Sequence, residues 1–152
     1  MSQMNPRKSL EKAYVAGLVD GEGSISLTSY LHRIGREHWV LKVGISNRYL
    51  PVLEQLRTQY EGNIHRSGSS RAPNRQPCYE WILTGRDRQI RFLLDVQPFA
   101  RIKQEQVKLA LSYLRTIGSG SSLGRGKHLT TTQEEKRAAL QEAMGILNKR
   151  GV

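Results

Sequence analysis

The sequence predicts an α+β fold, in which an αββαββα core holds a four-stranded antiparallel sheet and C-terminal helices follow the core. The first observation behind this prediction is a change in apolar spacing, from a helical period before Gly23 to a period of two after it. The second is that a helix followed by two alternating segments occurs twice before residue 86. The third is the length of 152 residues, which suits one domain with a sizeable core and is short for two.

The first half of the chain is expected to form a helix and two strands. Ser9 is a suitable N-cap for the helix, which Gly21 and Gly23 should end. The first strand is predicted over 24–32, and a second strand follows a turn near Gly35. Each strand has one apolar side, which in the second strand comprises Trp39, Leu41, Val43 and Ile45.

The second half repeats this order and adds a longer helix. Pro51 suits the first turn of a helix that Gly62 should end. The later predicted elements are strands over 63–66 and 78–84 and helices over 86–96 and 101–117.

Three regions are expected along the chain. Residues 1–117 should form the core domain, 118–130 a flexible basic linker, and 131–152 a C-terminal helix that packs on the same domain. Thr131 and Glu134 have the spacing of a capping box at the start of this last helix.

The charge balance points to a polyanionic partner. Lys and Arg number 24 against 13 Asp and Glu, which gives a net charge of +11. Such an excess favours nucleic acid, because neutralised phosphates release counterions. A membrane partner is not expected, since no basic amphipathic helix stands apart from the core elements. Cys78 is the only cysteine, which excludes an internal disulfide and a cysteine zinc cluster within one chain.

The beginning of the chain shows no targeting signal. Its first residues lack the apolar stretch of a signal peptide, and no apolar run approaches the length of a transmembrane helix. We therefore expect an intracellular protein, in the cytoplasm of a prokaryote or in an organelle.

One face of the predicted sheet carries side chains suited to contact DNA. Helices should cover the apolar face, and the other face is left exposed. A two-stranded ribbon fits the DNA major groove, where hydroxyl, imidazole and basic groups can contact base edges. An ordinary solvated sheet face is the alternative interpretation. The predicted DNA-contacting residues are Ser26, Thr28, Tyr30, His32, His38, Lys42, Arg48, Arg66, Arg71, Arg75, Glu80 and Arg101.

Two acids at the end of the first helix are unexpected in so basic a protein. Asp20 and Glu22 would lie at a helix C-terminus, where negative charge opposes the helix dipole. A divalent cation would remove this conflict and make phosphodiester hydrolysis possible. The alternative is a tight turn with exposed acids. Small residues at Ala13, Gly17 and Gly21 would let a second helix approach closely.

The segment around these acids resembles a known family signature. YVAGLVDGEGS at 14–24 is similar to the motif of LAGLIDADG homing endonucleases, and the αββαββα order over 9–117 agrees with that family's core. QPFARIKQ at 97–104 resembles the segment that carries an active-site lysine. Ile45-Ser46-Asn47 resembles the position where the family carries an amide side chain near a metal-bound water.

The resemblance implies roles for individual residues. Glu22 would bind the metal, with the backbone carbonyl of Gly21 as a further ligand, and Asp20 would have a lesser role in supporting the turn or a water molecule. Lys103 would stabilise charge on the scissile phosphate, and Asn47 would hold the water network. The expected metal is Mg²⁺, with Mn²⁺ as a substitute.

The resemblance also implies an assembly and an activity. A single motif implies a homodimer that pairs through Ala13, Gly17 and Gly21, with the sheets forming a saddle on double-stranded DNA. The implied function is that of an intron-encoded, site-specific double-strand endonuclease acting at a long pseudo-palindromic target. The alternative is a non-cleaving nucleic-acid binder on the same scaffold, either an RNA maturase that assists splicing or a transcription regulator.

Overall fold

The order of helices and strands confirms the predicted α+β fold. The computed structural model describes residues 5–33, 35–67, 76–117 and 130–149. The elements are α1 (Pro6–Glu22), β1 (Gly23–Leu31), β2 (Glu37–Asn47), α2 (Leu50–Tyr60), β3 (Asn63–Ser67), β4 (Cys78–Leu83), α3 (Arg86–Val96), α4 (Gln104–Arg115) and α5 (Thr131–Lys149).

The four strands form one antiparallel sheet with the order β1-β2-β4-β3. The long strand β2 pairs with β1 along its outer half and with both β1 and β4 near its end, where Ile45 lies between Gly23 and Trp81. Strands β2 and β4 are therefore central, and the chain passes directly from the end of α1 into the edge strand β1.

The predicted apolar sides of the strands face the helices and form the core. Ile25, Trp39 and Val43 are buried, and Trp81 has no exposed surface. The Trp81 indole packs against the Phe92 ring and donates a hydrogen bond from Nε1 to the Glu61 carbonyl at 2.8 Å. A buried tryptophan whose N–H has a partner contributes apolar area without leaving a polar group unpaired.

Three predicted helix starts are wrong, because side chains determine these ends. Helix α1 begins at Pro6 and not after Ser9, since Asn5 caps it by accepting a hydrogen bond from the Arg7 N–H. Helix α4 begins at Gln104 and not at 101. The capping box of α5 lies one residue earlier than predicted: the Thr130 hydroxyl accepts from the Gln133 N–H, and the Gln133 side chain accepts from the Thr130 N–H.

Helix α5 packs against α4 and β1 through the apolar residues Met144 and Leu140 and through several polar contacts. Met144 is buried, and the Arg137 guanidinium lies over the rings of Trp39 and Tyr113 at 5.9 and 5.6 Å. Arg137 also donates to the hydroxyl and the carbonyl of Thr116. The predicted linker lies outside the described residues apart from Thr130. Among the helices that the structure describes, none combines the length and the apolar character that crossing a membrane requires.

Candidate catalytic and nucleic-acid site

The end of α1 turns directly into β1, and this requires a glycine at position 23. The Gly23 N–H caps the helix by donating to the Val19 carbonyl. A Cβ on Gly23 would lie 2.5 Å from the Val19 carbonyl oxygen, so a larger residue would push the strand away from the helix. The glycine therefore brings the acids of α1 to the first residues of the sheet.

The carboxylate of Asp20 connects the end of α1 to the segment before α4. Its two oxygens accept hydrogen bonds from the backbone N–H groups of Arg101 at 2.8 Å and Lys103 at 2.9 Å. These bonds satisfy N–H groups in the turn before α4, and α4 begins at Gln104, three residues later than predicted.

The environment of Asp20 favours its ionised form. Burial raises the pKa of Asp20, but hydrogen bonds from the N–H groups of Lys103, Arg101 and Ile102 and the charge of Lys103 outweigh it and hold the pKa below the usual 3.8. The Asp20 carboxylate is thus charged and already engaged by protein donors. The role of Asp20 at a metal stays a prediction.

Lys103 reaches back to the same residue. Its Nζ donates to the backbone carbonyl of Asp20 at 2.8 Å. This carbonyl oxygen is one of the last four of α1, and no N–H group within the helix donates to these oxygens. A lysine ammonium carries three N–H donors, so two remain for other partners. The side chain of Lys103 therefore lies at the end of α1.

Glu22 differs from Asp20 in having its carboxylate free. It is the exposed last residue of α1, and within the described part of the chain it forms no hydrogen bond or ion pair. Across residues 5–33, 35–67, 76–117 and 130–149, no group of three His, Cys, Asp or Glu side chains is arranged to hold a metal. One free carboxylate with nearby carbonyl oxygens nevertheless fits Mg²⁺, which retains waters and is commonly bound by one or two carboxylates with substrate phosphates.

Asn47 is the last residue of β2 and Arg48 follows it, close to the start of β1. Since Ile45 pairs with Gly23, Asn47 lies two residues further along β2, beside the end of α1. The Asn47 Oδ1 accepts a hydrogen bond from the Tyr49 N–H at 2.8 Å, so its Nδ2 group remains for other partners. Arg48 is exposed, as is Arg101 in the turn that Asp20 holds.

The open face of the sheet carries half of the predicted DNA-contacting residues. By register this face comprises Ser24, Ser26, Thr28, Tyr30, His38, Val40, Lys42, Gly44, Ser46, Asn63, His65, Glu80 and Ile82. The His38 ring is stacked with the Tyr30 ring at a centroid distance of 5.5 Å, and the ring of His32, just beyond β1, lies 5.2 Å from it. Arg71 and Arg75 lie outside the described residues.

The placement of Arg66 on this face is wrong. Arg66 pairs with Tyr79, whose side of β4 also carries the fully buried Trp81, so Arg66 points toward the helix side at the end of the sheet. His65, which the sequence reasoning missed, occupies the open face opposite Glu80. The sequence signal for the placement of His65 was Ile64. As the apolar residue of β3, Ile64 faces the helices, so its two neighbours in the strand lie on the open face.

Helix α1 has a second face that its own chain leaves uncovered. Leu10 and Tyr14 are 72% and 59% exposed, and a Cβ added at Gly17 or Gly21 would meet no atoms within 4 Å. These four residues, here called the α1 stripe, recur at helical spacing opposite the core-facing Val15, Ala16 and Val19. Ala13 lies beside the stripe and is half-buried.

The chain has the fold of the LAGLIDADG homing endonucleases, as the sequence resemblance predicted. Among solved structures, the homing endonuclease I-CvuI in complex with its target aligns with a TM-score of 0.73 and 17% identity, over 94% of this chain and 85% of that one. The archaeal intron-encoded homing endonuclease I-Vdi141I complexed with DNA aligns with a TM-score of 0.71 and 19% identity, over 92% and 85%.

In a third solved structure, this chain aligns with less than half of a longer chain. The LAGLIDADG homing endonuclease I-SmaMI bound to cleaved DNA aligns with a TM-score of 0.65 and 21% identity, over 85% of this chain and 42% of that one. Comparison with protein-family models gives no match, and comparison with curated proteins gives none.

Proposed function

We propose that this protein is a site-specific, metal-dependent endonuclease that cleaves double-stranded DNA at a long pseudo-palindromic target. The observation that carries the proposal is the free Glu22 carboxylate at the end of α1, two residues after Asp20, whose backbone carbonyl accepts a hydrogen bond from Lys103 Nζ. This end adjoins an open sheet face in a chain of net charge +11. The similarity to structures of homing endonucleases in complex with DNA supports the same proposal.

The proposed metal ligands are the Glu22 carboxylate and the Gly21 carbonyl. Gly21 is among the last four residues of α1, whose carbonyl oxygens have no partner within the helix. A bound Mg²⁺ or Mn²⁺ would neutralise phosphate charge and lower the pKa of a bound water. Asp20 is assigned to positioning, because its two carboxylate oxygens already accept backbone hydrogen bonds.

Basic side chains near the end of α1 are assigned to contacts with phosphates, and an amide side chain is assigned to a water molecule. The two remaining N–H donors of Lys103 would contact the scissile phosphate, and the Asn47 Nδ2 would orient a water molecule. Arg48 and Arg101 are exposed beside this site and would bind flanking phosphates. Each assignment uses a group that the protein leaves available.

The proposed active form is a homodimer. The α1 stripe exposes two large apolar side chains next to two glycines, which allow a second α1 helix to approach its backbone. The chain carries one motif and aligns with 42% of I-SmaMI, as expected if two copies together match one longer chain. Dimerisation would also bring two Glu22 carboxylates near the two-fold axis, one for each DNA strand.

The test compares cleavage and binding by the protein and by a Glu22→Gln variant. A randomised double-stranded DNA library is incubated with Mg²⁺ or with EDTA, and cut and bound molecules are sequenced. We expect cleavage only with Mg²⁺, its loss in Glu22→Gln, and binding that is nearly unchanged. Glu105→Gln on α4, a comparable exposed acid, is the matched control and should cleave normally. Normal cleavage by Glu22→Gln would refute the metal assignment.

A second candidate function is nucleic-acid binding without cleavage. The observation that favours it is the single free carboxylate at the site, since Asp20 is already occupied by backbone N–H groups. A maturase would bind structured RNA, and a transcription regulator would bind DNA without cutting it. Specific binding by the unmodified protein without Mg²⁺-dependent cleavage would establish this alternative, and competition between RNA and DNA would separate its two forms.

A further inference from the structure

Two opposite charges meet at the centre of the open face. The Lys42 Nζ lies 2.6 Å from Glu80 Oε1, and the two residues belong to the central strands β2 and β4. The Lys42 side chain is 42% exposed and that of Glu80 is 20% exposed, so both can be reached by a ligand. Exposed ion pairs stabilise proteins little, so stability alone gives a weak reason for this pair.

The pair is held in place by the sheet beneath it. Glu80 is opposite Ser46, while Lys42 lies four residues before Ser46 on β2, so the two side chains meet across the intervening Gly44. A Cβ at Gly44 would lie 3.5 Å from Glu80 Oε1 and 3.0 Å from the Trp81 carbonyl oxygen. Gly44 thus provides the space in which the donor and the acceptor lie side by side.

A carboxylate on a surface that faces DNA needs a specific partner, because phosphates repel it. Side by side, an ammonium donor and a carboxylate acceptor match a base-pair edge that presents an acceptor next to a donor. In the major groove a G·C pair does this with guanine O6 and cytosine N4, and guanine N7 adds a second acceptor beside O6.

An A·T pair fits the two charges less well. It also presents an acceptor, thymine O4, next to a donor, adenine N6. A carboxylate at adenine N6, however, lies next to the N7 lone pair of the same base, which repels it. At a G·C pair the extra acceptor N7 lies on the lysine side, so both charges are matched.

We propose that Lys42 and Glu80 act as one specificity-determining unit that reads a single G·C base pair in the major groove, with Lys42 on guanine and Glu80 on cytosine. This inference rests on the proposed binding of double-stranded DNA by the open face. It is independent of cleavage, because neither residue belongs to the proposed catalytic group at the end of α1.

The experiment selects bound sequences from a randomised double-stranded DNA library, with Ca²⁺ in place of Mg²⁺ so that bound molecules are recovered. The unmodified protein is compared with Glu80→Gln and with the charge-exchanged variant Lys42→Glu/Glu80→Lys. Glu105→Gln is the matched control, since Glu105 pairs with Lys108 on a helix away from the open face.

We expect one position in each half-site where G·C exceeds the other base pairs by about tenfold or more. Glu80→Gln should reduce this preference about tenfold at that position alone, and the exchanged variant should prefer the reversed pair, C·G. The control should keep the original profile.

Two other results would overturn the inference. Profiles that stay the same in all variants, or a uniform loss of affinity with the profile unchanged, would show that the pair does not read a base. If the unmodified protein enriches no sequence, the sequence-specific part of the proposed function fails together with this inference.

Discussion

Replacing Asp20 with asparagine tests the hydrogen bonds that join the end of α1 to the segment carrying Lys103. The Asp20 carboxylate accepts the backbone N–H groups of Arg101 and Lys103 at 2.8 and 2.9 Å. Asparagine retains one acceptor oxygen, but its NH₂ group faces a backbone N–H that also donates. At least one of the two charge-assisted hydrogen bonds is therefore lost.

The size of the effect follows from these contacts. A hydrogen bond to a charged group contributes roughly 1.5–3 kcal/mol, and a half-buried donor left unpaired adds to the loss. Solvent can replace the partner of the exposed Arg101 N–H, which lowers the total. We therefore expect Asp20→Asn to reduce the free energy of unfolding by about 2 kcal/mol at neutral pH.

The effect should depend on pH in a defined direction. The pKa of Asp20 is lower in the folded protein than the usual 3.8, so the folded state holds the charged form more strongly than the unfolded state does. Its contribution is present above that ordinary value and is lost as the pH falls through the lowered pKa. Urea unfolding of both proteins should therefore show a stability difference that shrinks progressively below pH 4.

The same variant separates a positioning role from a merely structural one. If Asp20 acts by placing Lys103, then Asp20→Asn should slow cleavage in the normal background and have little further effect in Lys103→Met. Asp87→Asn, which alters an exposed pair with Arg86, should change stability by less than about 1 kcal/mol. A difference between the Asp20→Asn and unmodified proteins that is constant down to pH 2 would refute the reasoning about the carboxylate.

Three further predictions concern assembly and packing. Gly17→Leu should weaken dimerisation in sedimentation experiments while leaving the monomer folded, because its Cβ meets no atoms within the chain, and Gly145→Leu on α5 is the control. Tyr60→Phe should lower the free energy of unfolding by about 1–2 kcal/mol by removing the 2.9 Å bond to Asp95. The pKa of Tyr60 is raised by burial and by Asp95, so this difference should shrink as the pH rises above 10. Arg137→Met should speed hydrogen exchange in α5, because two hydrogen bonds that hold this helix are lost.

Each of these predictions has a clear contrary result. Equal dimer affinity in Gly17→Leu would exclude the α1 stripe as the interface. A Tyr60→Phe protein as stable as the original, or unchanged exchange in Arg137→Met, would show that these hydrogen bonds contribute no net stability.

The order of elements could be predicted because periodicity and burial coincide along the chain. Helix α3 occupies the predicted span, Arg86–Val96, and the apolar residues predicted on β1 and β2 are buried. Helix ends were less predictable, because they depend on which nearby side chain binds the free backbone groups of the first turn. Asn5 caps α1 earlier than predicted, and Asp20 binds the turn before α4 from more than 80 residues away in sequence.

The site could be predicted in part, through the resemblance of two segments rather than through spacing. Glu22 and Lys103 are far apart in sequence, and only the fold brings Lys103 to the end of α1. The pairing of Lys42 with Glu80 depends on the register between β2 and β4, which the sequence does not encode locally. The misplaced Arg66, in contrast, could have been corrected locally, because it lies two residues after the apolar Ile64 and therefore on the same side of β3.

The contact between α5 and β1 has a consequence for solubility. Strand β1 is an edge of the sheet, and an uncovered edge offers backbone groups to strands of other molecules. The Asn148 side chain donates to the Ile25 carbonyl at 3.0 Å, so the C-terminal helix occupies an acceptor on this strand. This helix would therefore hinder the strands of other molecules from pairing with β1 at this point.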